Sequence, residues 1–165
     1  MSLFNSYPKQ LAKIDGNFVL VTDIFRRVYA RASVKDYSLI ETVTIPDNYT
    51  PEQLAHRYYQ NPYYHWVILV VNNIIDPREE WPRTQKQLQD YCVNKYGGIE
   101  NIYETHHYIN DEGLIVDADY VAGIKTAITN YEYEDSLNDA KREIRMLHPK
   151  YLDDFVSLYN QLIVK

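Results

Sequence analysis

Glycine is scarce, with five residues in a chain of 165. That leaves little material for loops that cradle phosphate, which need glycine for tight turns and close backbone approach. No phosphate loop, dinucleotide fingerprint or nucleophile elbow can be read in the chain. Cysteine is almost absent: Cys92 stands alone. An intrachain disulfide is therefore excluded, which fits folding in a reducing compartment. Clustered cations are also missing. Lys and Arg number 17 against 23 Asp and Glu, for a net charge of −6. The one basic cluster, "KREIR", is short and interrupted by Glu143. Neutralising phosphates needs clustered cations, so no nucleic-acid partner is expected. The longest apolar run, "WVILVV" from Trp66 to Val71, falls far short of the ~20 residues of a membrane helix. "MSLFNSYPKQLAK" lacks a charged start followed by an apolar core, so no signal peptide is read there. A soluble protein made in the cytoplasm, with no membrane partner, is the expectation.

Tyrosine is abundant, at 17 residues against 4 Phe and 2 Trp. A phenol ring has an apolar body and a polar tip, and suits surfaces that are half wet or that meet a partner. One domain cannot absorb that many in its core, so some belong on the surface or in interfaces. The richest stretch is "PEQLAHRYYQNPYYHWVILVVNNIIDPREEW", Pro51 to Trp81, which has no glycine.

Residues 1–35 read as an arm. It holds an extended apolar piece, Phe18 to Val21, a turn at Asp15-Gly16-Asn17, and a short "DIFRRVY" element. Either it docks on something else or it forms an edge strand of its own domain. Tyr37 to Ile45 is rich in β-branched residues and reads as a strand, with Leu39, Val43 and Ile45 on one face and Glu41 interrupting it. Thr50–Gln53 is a capping box with proline at the first helical position. Asn61-Pro62 starts a second helix to about Asn72, apolar all round in its later part and so buried on most sides. Thr84–Gln87 is another capping box. Its helix carries Leu88, Tyr91, Cys92 and Tyr96 on one stripe and stops at Gly97-Gly98. "IYETHHYI" and "LIVDADY" around "NDEG" suggest a β-hairpin. The signal around Ala127–Tyr133 is weak; "EDSLNDAKR" looks helical and "EIRML" extended. Pro149 opens a last helix with Leu152, Phe155, Val156, Tyr159, Leu162 and Ile163 in one stripe.

Catalytic and metal chemistry find little footing. His106 and His107 are neighbours in a predicted strand, so their side chains are expected on opposite faces, where one metal cannot use both. His56 and His65 lie on successive helices with no further ligand at metal spacing. Cys92 sits on an apolar stripe, the place of a buried inert thiol. Glu79-Glu80 and Asp153-Asp154 read as solvated or helix-start carboxylates. No enzyme activity, cofactor or metal is expected. Tyr58, Tyr59, Tyr63, Tyr64 and Trp66 either line a carbohydrate groove or are half core. Tyr63, three residues before Trp66, is expected to share its buried face. Tyr64 then points elsewhere and is the better contact.

The layout strand, capped helix, second helix from Tyr37 to about Asn73 resembles a LysM-like βαα unit, a module that usually binds N-acetylglucosamine polymers. Asn48-Tyr49-Thr50 replaces the usual Gly-Asp-Thr, and "DPREEWPRT" obscures the closing strand. A closer resemblance is to the baseplate wedge proteins of T-even-type contractile phage tails that carry a LysM-like domain. That family shows Thr-Asp-Ile-Phe-Arg, matched by Thr22 to Arg26. Its Pro-Glu-x-Leu-Ala, Tyr-x-Asn-Pro and Trp-Val correspond to Pro51, Glu52, Leu54, Ala55, Tyr59, Asn61, Pro62, Trp66 and Val67. Leu69, Asn72, Asp76, Pro77 and Trp81 continue the pattern. Gln60 stands where the family often has glycine.

The resemblance implies an α+β fold: a LysM-like βαα unit with an extended N-terminal arm, a β-hairpin and a C-terminal amphipathic helix. The expected segments are the arm at 1–35, the LysM-like core with its following helix at 36–97, and the hairpin and C-terminal helical region at 98–165. It implies a structural subunit joining wedge components and adjacent wedges around the hub, in multiple copies per virion. The implied partners are other wedge proteins and a sheath-initiator-like subunit, with assembly in the host cytoplasm and residence in the tail baseplate. The rival is a LysM-type peptidoglycan- or chitin-binding module. The expected interface residues are Asp23, Phe25, Arg26, Tyr63, Tyr64, Trp81 and Tyr159. Phe25 and Arg26 pair an apolar anchor with a bidentate donor, as interface hot spots do.

Overall fold

The computed structural model describes residues 6–24, 26–28, 39–121 and 123–164. The architecture is α+β. Strands β1 (Lys9–Ile14), β2 (Asn17–Thr22) and β3 (Ile40–Thr44) come first. Helices α1 (Pro51–Tyr59), α2 (His65–Val71), α3 (Pro77–Glu80) and α4 (Gln85–Tyr96) follow. Then come β4 (Thr105–Asn110), β5 (Ile115–Val116), β6 (Lys125–Thr129), α5 (Asn130–Asp139), β7 (Glu143–Leu147) and α6 (Leu152–Val164). Two compact units result: residues 1–80 with 144–165, and residues 81–143. They differ from the expected segments 1–35, 36–97 and 98–165, because β7 returns across the sequence to pair with β3.

In the first unit, β1 and β2 form an antiparallel hairpin. Asp15 (φ 49°) and Gly16 (φ 86°) both take positive φ, the requirement of the primed two-residue turn whose twist matches the strands. The extended piece expected at Phe18–Val21 is β2; β1 is its unforeseen mate. The strand expected from Tyr37 is β3, and Tyr37 and Ser38 lie outside the described residues. Ile45, just past its end, is buried at 2% exposure, whereas Glu41 is exposed.

Helix α1 starts as the sequence predicts. The Thr50 hydroxyl accepts from Gln53 N–H at 3.3 Å, and the Gln53 amide oxygen accepts from Thr50 N–H at 3.0 Å. The helix ends at Gln60 in the left-handed region, φ 59°. The other non-glycine residues at positive φ among those described are Asp15, Asn48 and Asn73, types whose short polar side chains tolerate it. Gln60 is the exception among them, a longer side chain held at positive φ. Asn61 then caps Tyr63 N–H at 3.0 Å. The second helix begins as a 3-10 turn, Pro62–Tyr64, and becomes α-helical at His65. Its Trp66, Val67, Ile68 and Val71 are buried.

Residue Asn72, just past α2, holds β7 in place. Its Nδ2 donates to Arg145 O at 2.8 Å, and its Oδ1 accepts from Arg145 N–H at 2.8 Å. A second Nδ2 bond reaches Ile68 O at 2.9 Å. The Tyr59 hydroxyl donates to Leu147 O at 2.9 Å, and His148 N–H to Leu39 O at 2.9 Å. So the strand that closes the βαα unit is not in "DPREEWPRT"; it arrives as "EIRML". Ile144, Met146 and Leu147 of β7 are buried, as are Leu152, Tyr159 and Ile163 of α6. Leu162, expected in the α6 stripe, is 41% exposed.

The second unit is built on α4 and α5. The Thr84–Gln87 capping box forms, and α4 ends at Gly97 with φ 80°. Leu88, Cys92 and Ile102 make its small core, with Tyr91, Val93, Tyr96 and Tyr131 packed against it. The expected hairpin is β4 with β5, and β6 adds on the other side of β4. Helix α5 opens with a third capping box, Thr129 with Glu132. Asn138 clamps this unit as Asn72 clamps the first: its Oδ1 accepts from Arg83 N–H at 2.7 Å and its Nδ2 donates to Arg83 O at 3.0 Å.

Two stability predictions follow from the clamp and the helix end. Asn72→Ala strips both bonds from Arg145 and costs about 1–3 kcal/mol, read from the midpoint of urea unfolding. Gln60→Gly relieves the left-handed strain and adds up to about 1 kcal/mol, read as a raised Tm in the same buffer.

Candidate protein interface

The expected interface residues do not form one patch. Asp23 is half-buried, and its N–H donates to Pro8 O at 2.9 Å, which pins the end of β2. Phe25 lies outside the described residues. Arg26 is half-buried on the wall of a pocket of about 210 Å³. Ile24, Arg27, Val28, Trp66 and Tyr159 are also on that wall. Arg26 and Tyr159 are therefore brought together, but Tyr159 is only 4% exposed. Its ring centroid lies 4.8 Å from that of Trp66, and its hydroxyl is 3.2 Å from that of Tyr7. Trp81 is 7% exposed, within the second unit. Both rings are already covered by their own chain, so they serve as core and not as free contact surface.

The two tyrosines before Trp66 reverse their expected roles. Tyr63 is 67% exposed, while Trp66 is 6% exposed. Tyr64 is half-buried, edge-on to Tyr59 with centroids 6.2 Å apart. Side chains on a helix lean toward its N-terminus. Tyr63 sits in the first turn, where no preceding turn exists for it to cover, so it projects into solvent.

His106 and His107 also depart from alternation. The β4–β6 register slips between Thr105 and His107, so His106 is the extra residue of a bulge. A bulge removes the strict two-residue period of a strand. The two Nδ1 atoms are 2.8 Å apart, so one ring donates to the other. Tyr133 stacks on His106 with centroids 4.0 Å apart and 11° between planes. Among the described residues no group of three or more His, Cys, Asp or Glu side chains could hold a metal ion. No helix among them is long and apolar enough to cross a membrane.

Buried polar groups are partnered. Glu134, 5% exposed, accepts from Lys95 Nζ at 2.6 Å and from the Tyr96 hydroxyl at 2.9 Å. The hydrogen bond to Glu134 raises the Lys95 ammonium above its usual range. Burial first, and the Glu134 bond second, push the Tyr96 phenol up to about 12. Burial likewise raises Tyr59 and Tyr159. Cys92 is fully buried, and burial pushes its thiol up. The sequence reading of Cys92 as a buried thiol holds.

Sequence reasoning read Phe18–Val21 as an extended apolar piece but missed its mate β1, and so the exposed apolar ribbon that the two strands make. Leu11 (69%), Ile14 (51%), Phe18 (72%) and Leu20 (59%) all stand out from the β1–β2 hairpin. The available signal was Asp15-Gly16 between two runs of strand-forming residues, a strong short-range mark of a hairpin.

Tyr7, Tyr59 and Tyr159 are buried with hydroxyls engaged, while large apolar side chains of the β1–β2 ribbon stay uncovered. The family model described as base plate wedge protein 53 matches residues 5–121, and the chain belongs to that family. It is 33% identical over 98 residues to "Baseplate wedge protein gp53" of Enterobacteria phage T4, covering 56% of this chain and 47% of that protein. The chain thus spans about half the length of that relative.

The phenols give a pH prediction. In an unfolded chain they ionise near pH ~10. The fold favours the neutral form, so this stability is complete below pH ~10 and is lost as pH climbs through the raised values. Absorbance at the tyrosinate band should show part of the phenols titrating late in native protein. Tyr96 should ionise near 12, whereas in denaturant all phenols ionise together near ~10.

Proposed function

We propose that the chain is a structural, non-catalytic subunit of a phage tail baseplate wedge. In this reading several copies per virion join wedge components and adjacent wedges around the hub of a contractile tail. The neighbours are other wedge proteins and a sheath-initiator-like subunit, and assembly takes place in the host cytoplasm. The observation that carries the reading is the family match over residues 5–121, which runs through parts of both compact units. Large exposed apolar side chains on the β1–β2 hairpin support it, since surfaces of that kind mark sites covered by other proteins. The arm, residues 1–35, is the segment we assign to assembly, with Phe25 and Arg26 as its contacts and Tyr63 as a further exposed ring. The βαα unit is LysM-like in this reading, its surface serving protein contacts in place of sugar.

The test uses purified virions and the isolated chain. Mass spectrometry of baseplates should find the chain, and chitin oligomers should leave its amide spectrum unchanged. The double variant Phe25→Ala, Arg26→Ala should keep the native circular dichroism and Tm while its incorporation into tails falls roughly tenfold or more. Loss of folding in the double variant would place the arm in the protein's own core, and sugar binding would favour the glycan module.

A further inference from the structure

The hairpin is a ribbon of two strands, β1 and β2, with no third strand among the described residues. Such a ribbon is marginal in water unless a face is covered. Its register sorts the side chains, because residues directly opposed on an antiparallel pair lie on the same face. One face carries Lys9 opposite Thr22, Leu11 opposite Leu20, and Lys13 opposite Phe18. The other carries Gln10, Ala12 and Ile14 against Val21, Val19 and Asn17. On the first face Leu11, Leu20 and Phe18 form an apolar centre, exposed at 69%, 59% and 72%. Lys9 and Lys13 flank Leu11 on the same strand face, both exposed, and that face bears no carboxylate. Neither lysine has an ion-pair partner among the described residues. An apolar centre with a charged margin is the anatomy of a contact surface.

We propose that this face of the hairpin docks on an apolar surface of a different baseplate wedge subunit, whose margin carries carboxylates placed to meet Lys9 and Lys13. The inference rests on the baseplate reading above. Charge decides the occupant. Two copies of this face set against each other would bring four lysines together, and like charges in contact suppress such pairing. A partner with an acidic margin satisfies the lysines and the apolar centre at once.

The test places the photo-crosslinker p-benzoyl-phenylalanine at Phe18 in a chain built into complete baseplates, with the links mapped by mass spectrometry. The expected link is to an apolar segment of another baseplate polypeptide that has Asp or Glu within a few residues. Adding Lys9→Glu and Lys13→Glu should cut the link yield roughly tenfold, while circular dichroism of the purified variant stays native. A link within the same chain or to a second copy, no link in baseplates that contain the chain, or a charge-reversed variant that links as before would each overturn the proposal. Absence of the wild-type chain from baseplates would overturn the structural reading itself, and this inference with it.

Discussion

The Asn72 side-chain amide stands in for a peptide group, and the first unit depends on that substitution. Its oxygen and nitrogen engage the backbone of Arg145, 73 residues further along the chain. That bond pair fixes where β7 runs, and so which side chains of "EIRML" face the core. Ile144 and Met146 are buried, as are Trp66, Val67 and Ile68 of the same unit. Asn138 repeats the device with Arg83. An amide clamp suits this task because it offers one donor and one acceptor side by side, as a neighbouring strand would. It also leaves no polar debt: no buried side-chain nitrogen or oxygen among the described residues lacks a partner.

The tyrosines turn out to be spent differently from what their number suggests. Tyr59 and Tyr159 are buried with hydroxyls engaged by Leu147 O and Tyr7. Tyr96 leans on Glu134. A phenol can close a core and satisfy a buried acceptor together, which an aliphatic side chain cannot do. Exposed large apolar side chains are mostly aliphatic: Leu11, Ile14 and Leu20 on the ribbon with Phe18 beside them, and Leu114, Ile115, Val121 and Ile124 in the second unit. Among the described residues, Tyr63 and Tyr103 are the large exposed phenols, at 67% and 63%.

Local grammar was legible in the sequence; long-range closure was not. Thr50–Gln53 and Thr84–Gln87 spelled their helix starts, and both boxes form. Thr129–Glu132 spells the same motif, yet it lies in β-branched surroundings that masked it. The pairing of β3 with β7 has no local signature, because nothing within either strand names a mate so far away. Alternation misplaced His106 because a single extra residue in β4 shifts the pattern. Helical periodicity misplaced Tyr63 because a first turn has no preceding turn to lie against. Of the expected contact residues, Trp81 and Tyr159 were drawn inward by their own units, and only packing reveals that.

The route of the chain also bears on how it comes off the ribosome. Residues 81–143 are contiguous, whereas the other unit needs residues 144–165 to be finished. Domains fold as units during vectorial synthesis. The inserted piece can therefore reach its native form while the flanking one still waits for its last strand and helix. Until β7 is made, β3 lacks its one partner strand among the described residues, and through that interval it is the nascent chain's open seam.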